Sequence, residues 1–397
     1  MNLSALQSPE YRLYMIGNVF GMNANWILRL VIGWLAWDLT KSASFVGLVS
    51  FLNFAPVLLG GPIFGVITDR VDLKKAAVLV QLSIASLALI LCASLAVKLV
   101  DARFIAIYAV VIGLALSAYQ PVRLSLGPRL VRPERISSVV GLGALNFNIS
   151  RLTGPALGGV LIANIGVTWT IFVVCVLYIP FLLILSRLNP RKRSDKTIHL
   201  PFWKSFKQGV AVILSHRIML IAFTVTGLFS VVVRGSLEIL PIIADGVFAK
   251  GAVGLGILTA AAGAGALLAS LIQIMVSPVV KGRVPTRALL ATTAGTALTL
   301  ALGITHSWPV SIALIAGIGF TSTIVGVNFQ SLVQMHLDDD IRGRVMSLWM
   351  TVAVGGTALG ALTLGILIDA IGISLTLGGV GGASLLVFLA FLPRIRR

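Results

Sequence analysis

The sequence predicts an all-α integral membrane protein with twelve transmembrane helices in two six-helix bundles related by a pseudo-two-fold axis. Three observations carry that expectation: a composition unable to clothe a water-soluble surface, apolar stretches of spanning length in regular succession, and self-similarity between the two halves of the chain. Of the 397 residues, 57% are hydrophobic and 11% are charged, with a mean hydropathy of +1.01. A soluble domain carries about 25% charge, so lipid must be the solvent for most of this surface. Cys92 and Cys175 lie in apolar runs and read as small core hydrophobes. No Cys or His spacing suggests a metal, and no cofactor is expected. The N-terminal segment has no cleavage pattern, and its first apolar run is long. It reads as a first spanning helix, not a removable signal.

A spanning helix needs about 20 mostly apolar residues. Such stretches fall near 11–37, 43–67, 75–97, 103–127, 136–163, 167–187, 214–243, 252–277, 286–305, 309–333, 344–369 and 373–392. Asn189-Pro-Arg-Lys-Arg-Ser-Asp-Lys196 is the long charged linker at mid-chain. The domains expected are a six-helix bundle over 1–188, a cytoplasmic linker over 189–213 and a second bundle over 214–397.

Of the 31 Lys and Arg residues, 23 fall on the side of the N-terminus, four on the other side and four inside spans. The positive-inside rule then places both termini in the cytoplasm. The net charge of +18 is thereby explained by topology and anionic lipid, not by nucleic acid. Trp37, Trp169 and Trp308 fall at predicted outer ends, as interfacial anchors do.

At an offset of 206, Gly159-Val-Leu-Ile-Ala-Asn-Ile-Gly-Val167 aligns with Gly365-Ile-Leu-Ile-Asp-Ala-Ile-Gly-Ile373. In the same register Ser125-Leu126 meets Ser331-Leu332, Glu134 meets Asp340, and Gly21 meets Gly227. Parallel six-span repeats imply a substrate site near the midplane between the halves and transport by alternating access.

Between the second and third spans stands Gly65-Val-Ile-Thr-Asp69-Arg70-Val-Asp72-Leu-Lys74-Lys75. In sequence and place it resembles the signature loop of the major facilitator superfamily, departing at Leu73, where a basic residue is usual. The resemblance implies that Asp69 latches the halves on the cytoplasmic side through the start of the eleventh helix, here near Arg342-Gly-Arg344. The gating set is therefore Gly65, Asp69, Arg70, Asp72 and Lys74. The corresponding loop of the second half, Ser277-Pro-Val-Val-Lys-Gly-Arg283, lacks the Asp-Arg pair.

The fifth span carries Gly141, Ser150, then Gly154-Pro155-Ala-Leu-Gly158-Gly159. It is similar to the motif of drug:proton antiporters in this superfamily, with Ser150 where glycine is usual. Small residues three or four apart make a face for close packing, and Pro155 permits a bend. Gly154, Pro155, Gly158 and Gly159 are the expected hinge. Gln120-Pro-Val-Arg123, Asn148-Ile-Ser-Arg151 and Phe54-Ala-Pro-Val resemble the bacterial branch that includes the enterobactin exporter and macrolide-efflux proteins. That resemblance implies export of an amphiphile.

Ionisable groups inside spans are costly and are functional candidates. Arg234 and Glu238 lie four apart in the seventh span, a spacing that allows pairing on one helix face. They are the expected proton-coupling pair, with buried structural pairing as the alternative. Arg29 and Arg151, with Asn25 and Asn328 as uncharged partners, are the expected substrate cavity. Helix-to-helix hydrogen bonding is the competing role for each asparagine. Arg123, near a span end, reads as a snorkelling residue. Three arginines against one glutamate favour organic anions such as siderophores or acidic metabolites.

The function expected is proton-coupled export of a small amphiphilic or anionic molecule, with the substrate, protons and the bilayer as partners of a monomer. An importer or lipid-handling facilitator on the same fold, or a non-transporting receptor, is the alternative. No catalytic pair, metal spacing or phosphate loop points to an enzyme.

Overall fold

The computed structural model describes residues 3–191, 202–275, 282–337 and 339–396. Within these, the side chains of 59, 61–63, 65–70, 202–206, 274, 339–340 and 392–396 lie outside the description. The described residues are helical with no strand, and ten helical stretches are long and apolar enough to cross a membrane.

After a short turn at Ser4–Gln7, α1 (Pro9–Thr40) starts with proline in its first turn, where a missing N–H costs nothing. It stops at Lys41, whose left-handed backbone returns its N–H to Trp37 O at 2.7 Å. α2 (Ala43–Arg70) follows directly. Asp72 caps α3 (Leu73–Ala96), accepting from Lys75 N–H at 2.9 Å, and Asp101 caps α4 (Ala102–Arg129), accepting from Phe104 N–H at 2.7 Å. Leu73, Ala77, Gln81, Ile84, Ala88 and Leu91 form the buried stripe of α3 at helical spacing. Leu79, Leu82, Leu89 and Ile90 on its other face are exposed, as a lipid-facing surface requires.

α5 (Ile136–Arg187) is broken at Gly166, with φ 78 and ψ 168. Only glycine occupies that region without strain. Gly372, its partner at the offset of 206, has φ 83 and separates α11 (Asp339–Ile371) from α12 (Ile373–Arg396) in the same one-residue way. An amphipathic helix, α6 (Phe202–Ser215), occupies part of what the sequence presents as linker. The remaining helices are α7 (Arg217–Phe229), α8 (Gly251–Met275), α9 (Thr286–Ile304) and α10 (Trp308–Met335).

The chain divides into two compact units that exchange short segments. The first comprises 1–41, 52–195 and 241–260; the second comprises 42–51, 196–240 and 261–397. Within the first, α5 packs along α1 and α3. The start of α8 lies on α5 so closely that a Cβ on Gly159 would stand 2.7 Å from Ala252 O and 2.9 Å from Gly256 Cα. Within the second, Gly365 on α11 meets the backbone of Ala43 and Ser44, and Gly47 on α2 meets Ala361 O. Gly159 and Gly365, like Pro155 and Ala361, are equivalent in the repeat. One packing solution therefore serves both units.

Among the described residues, the core of the first unit contains unmet polar groups on Gln81, Tyr108 and Asn146. Gln81 is 1% exposed, and neither its Oε1 nor its Nε2 has a hydrogen-bond partner. It borders a cavity of about 10 Å³ with Tyr14, Tyr119 and Arg123. An unsatisfied buried donor or acceptor costs about 1–3 kcal/mol. Gln81→Leu is expected to stabilise the protein by roughly 1 kcal/mol for that reason, read as a higher thermal midpoint in detergent. A lowered midpoint would show that the amide has a partner in solution.

Candidate functional site

The seventh span is interrupted where its charges stand. α7 ends at Phe229, a π turn runs over Ser230–Arg234, and a 3-10 turn follows over Gly235–Leu237. A second π turn covers Ile242–Val247. The interrupted stretch packs closely on α11: a Cβ on Gly235 would lie 2.9 Å from Gly360 Cα, and Gly360 itself meets Val231 O. Because the helix changes pitch between them, Arg234 and Glu238 do not hold the α-helical i, i+4 relation expected from their spacing. Arg234 reaches α10, donating from Nη2 to Ser322 O at 3.1 Å, and Gly326 leaves room for the guanidinium. Glu238 sits just past the 3-10 turn, half-buried, its own N–H bonded to Gly235 O at 3.0 Å. Interrupted helices lining a site are a recurrent device of membrane transporters. Thr226, Ser230 and Ser322 add buried hydroxyls to the same region of the second unit, none with a hydrogen-bond partner.

In the first unit, Arg29 lies over two rings. Its guanidinium carbon lies 5.6 Å from the Trp26 ring centroid and 4.7 Å from that of Phe54. Trp26 meets Phe147 edge-on at 5.6 Å, and Phe147 carries Arg123 at 5.9 Å. Arg123 is further held by two hydrogen bonds to Gln120 Oε1, at 3.1 and 3.0 Å. It is thus the end of an aromatic row, beyond the snorkelling role its position suggests. Arg151 is half-buried on α5, one turn before Gly154.

The two asparagines each bond neighbouring helices together, the competing role the sequence left open for them. Asn25 Oδ1 accepts from the buried Tyr178 hydroxyl at 2.7 Å. Asn328 is fully buried, donates to Ile324 O at 2.8 Å and accepts from Arg287 Nε of α9. The departure at Ser150 is also explained. Ser150 is fully buried and accepts from Asn23 Nδ2 at 3.2 Å, while Thr153 donates to Asn23 Oδ1 at 2.7 Å. A glycine at 150 would leave α1 and α5 without that bond.

The four motif positions on α5 act as a packing face in this structure. A Cβ on Gly154 would stand 2.6 Å from Trp26 Cβ, and one on Gly158 would stand 3.1 Å from Leu30 Cδ2. Gly159 and the Pro155 carbonyl both abut Gly256. In the signature loop, Asp72 is the cap of α3, and Lys74 is half-buried in its first turn. The side chains of Gly65, Asp69 and Arg70 lie outside the described residues, and so does a latch through Asp69.

Sequence reasoning missed two polar ties at the ends of α1 and α2. In the first unit, Asp245 accepts from Trp37 Nε1 at 2.8 Å and from Lys41 Nζ at 3.2 Å, while Lys41 also pairs with Asp38 at 3.0 Å. Burial pushes the Asp245 carboxyl up, but the bonds from Trp37 and Lys41 outweigh it, so the group sits below its ordinary value. Burial lowers the Lys41 ammonium, but Asp38 and Asp245 outweigh it, so that group sits above its ordinary value. A carboxyl lowered by folding stabilises above its unfolded value of about 3.9 and loses this as pH falls through its folded pKa. A raised ammonium stabilises below about 10.4 and loses this as pH rises through its folded pKa. The tie is intact between those limits.

In the second unit, Asp369 of α11 caps α2. It accepts from Ala43 N–H at 2.9 Å, Ser44 N–H at 2.8 Å, Ser42 Oγ at 2.8 Å and Ser44 Oγ at 2.5 Å. The signal available in sequence was an acid at the end of an apolar span with a Ser-x-Ser helix start elsewhere. Nothing in the spacing joined the two. Among the described residues, no group of three His, Cys, Asp or Glu side chains assembles that could hold a metal ion.

A family model described as transmembrane secretion effector matches residues 1–396. The enterobactin exporter EntS of Salmonella paratyphi A is 26% identical over 373 residues, covering 92% of this chain and 87% of that protein. The staphyloferrin A transporter of Staphylococcus aureus is 25% identical over 382 residues, covering 92% and 91%. Among solved structures, a variant of the nucleoside transporter NupG superposes with a TM-score of 0.77 at 9% identity, covering 96% of this chain and 99% of that one. That last likeness is one of fold alone.

Proposed function

We propose that this chain, which belongs to the transmembrane secretion effector family of the major facilitator superfamily, exports a small amphiphilic or anionic organic molecule by proton-coupled alternating access. The frame is twelve spans in two six-helix bundles, 1–188 and 214–397, joined by the cytoplasmic segment 189–213. The chain works as a monomer in a bacterial inner membrane with both termini inside, as the basic bias of its loops supports. The relatives named above handle enterobactin and staphyloferrin A, which supports a siderophore, drug or metabolite as cargo.

The observation that carries the reading is the interrupted seventh span, which holds Arg234 inside an otherwise apolar stretch and Glu238 at its end. An ionisable group at such depth is retained for function. Glu238 is the proton carrier, and Arg234, Arg29 and Arg151 supply the positive field that draws an anion. Asp69 and its neighbours Gly65, Arg70, Asp72 and Lys74 gate the cytoplasmic side. The Asp245 and Asp369 ties hold the outer side and release when it opens.

The test is transport in inside-out vesicles under an imposed pH gradient, comparing the anionic dye 8-anilinonaphthalene-1-sulfonate with the cation ethidium. The expected result is uptake of the anion that dissipates the gradient. Glu238→Gln is expected to abolish gradient-driven uptake, a loss of at least ten-fold, while anion exchange persists. Preference for ethidium sinks the anion assignment. Transport that leaves the gradient unchanged, or full coupling in the Glu238→Gln variant, sinks the role given to protons or to Glu238.

A further inference from the structure

Five half-buried side chains of the first unit form one continuous row: Phe54 of α2, Arg29 and Trp26 of α1, Phe147 of α5 and Arg123 of α4. They come from four helices, so no single helical periodicity produces the row. Ring and guanidinium alternate at 4.7 and 5.6 Å around Arg29, ring meets ring at 5.6 Å, and a second guanidinium closes the row at 5.9 Å. Two cations in one row, in a span region, cannot face hydrocarbon cheaply and require protein or water beside them. A guanidinium over an aromatic face keeps its positive charge beside the ring, and Arg123 is fixed further by its bonds to Gln120 Oε1.

We infer that this row is a recognition surface for a substrate that joins a negative charge to an aromatic ring. Trp26 and Phe147 offer ring surface for stacking or edge contact, and Arg29 and Arg123 supply the charge that favours a carboxylate or phenolate on the same rigid unit. An aliphatic anion would meet the charge without the rings, and an aromatic cation would meet the rings against the charge. The selectivity is therefore for the combination. This deepens the export reading, because it rests on Arg29 facing substrate.

The experiment is equilibrium binding to the purified full-length protein in detergent by calorimetry, with three probes of similar size. They are 2-naphthoate, its saturated analogue decahydro-2-naphthoate, and the cation 2-naphthylmethylammonium. The expected result is at least ten-fold tighter binding of 2-naphthoate than of either comparison. Trp26→Leu and Phe147→Leu should each reduce its advantage over the saturated analogue several-fold, while Trp26→Phe keeps it. Phe147→Leu carries the test if Trp26→Leu does not fold. Equal binding of the two anions, preference for the cation, or unchanged selectivity in Phe147→Leu overturns the inference. Selective binding of 2-naphthoate without transport of any probe in vesicles sinks the export reading alone. Transport of both anions without ring preference sinks this inference alone.

Discussion

Gly159→Val is expected to leave little well-folded protein. The new Cβ would stand 2.7 Å from Ala252 O and 2.9 Å from Gly256 Cα, and both obstacles are helix backbone. A flexible side chain could turn aside, but a backbone must move with its helix. Overpacking of a close-packed interior costs about 1–3 kcal/mol, and rigid neighbours put this site at the upper end. The measurement is the thermal midpoint and monodispersity of the purified variant, with Gly141→Val as control. Gly141 has nothing within 4 Å of its would-be Cβ, so the control should behave as wild type. Equal behaviour of the two variants would show that the α5–α8 contact is loose in solution.

Asp369→Ala should free the start of α2. The carboxylate meets two backbone N–H groups of the first helical turn and two serine hydroxyls. Removing a side-chain cap costs about 0.5–2 kcal/mol. About 1.4 kcal/mol changes an equilibrium ten-fold, so opening at this end should become several-fold to ten-fold more frequent. Val46, 1% exposed beside the capped turn, gives the readout. In a cysteine-free background carrying Val46→Cys, a membrane-impermeant maleimide should label the Asp369→Ala protein faster than its parent. Asp369→Asn should fall between them, since an amide still accepts. Identical labelling rates would show that the glycine contacts alone keep α2 on α11.

The legible features were those written in local chemistry. Apolar stretches of spanning length follow from hydropathy, and the repeat that aligns Gly166 with Gly372 follows from residue identity at a fixed offset. Asp72 was singled out with its loop, although its observed bond is a helix cap. The features that escaped depend on pitch or on distant partners. Arg234 and Glu238 were expected on one helical face, but a 3-10 turn over Gly235–Leu237 separates them. Asn328 looked like a cavity group because its span was cavity-prone, and its amide is consumed by Arg287 and Ile324 O. Asp369 is 325 residues from Ser44, a separation no local pattern bridges. The amphipathic α6 was hidden by the charged residues just before it, which made the whole region read as linker.

The reciprocal exchange of segments has an evolutionary consequence. The first unit borrows 241–260 from the second half of the sequence, and the second borrows 42–51 from the first. A gene encoding only one half would make a product whose glycine groove, at Gly159 or at Gly365, lacks the helix that fills it.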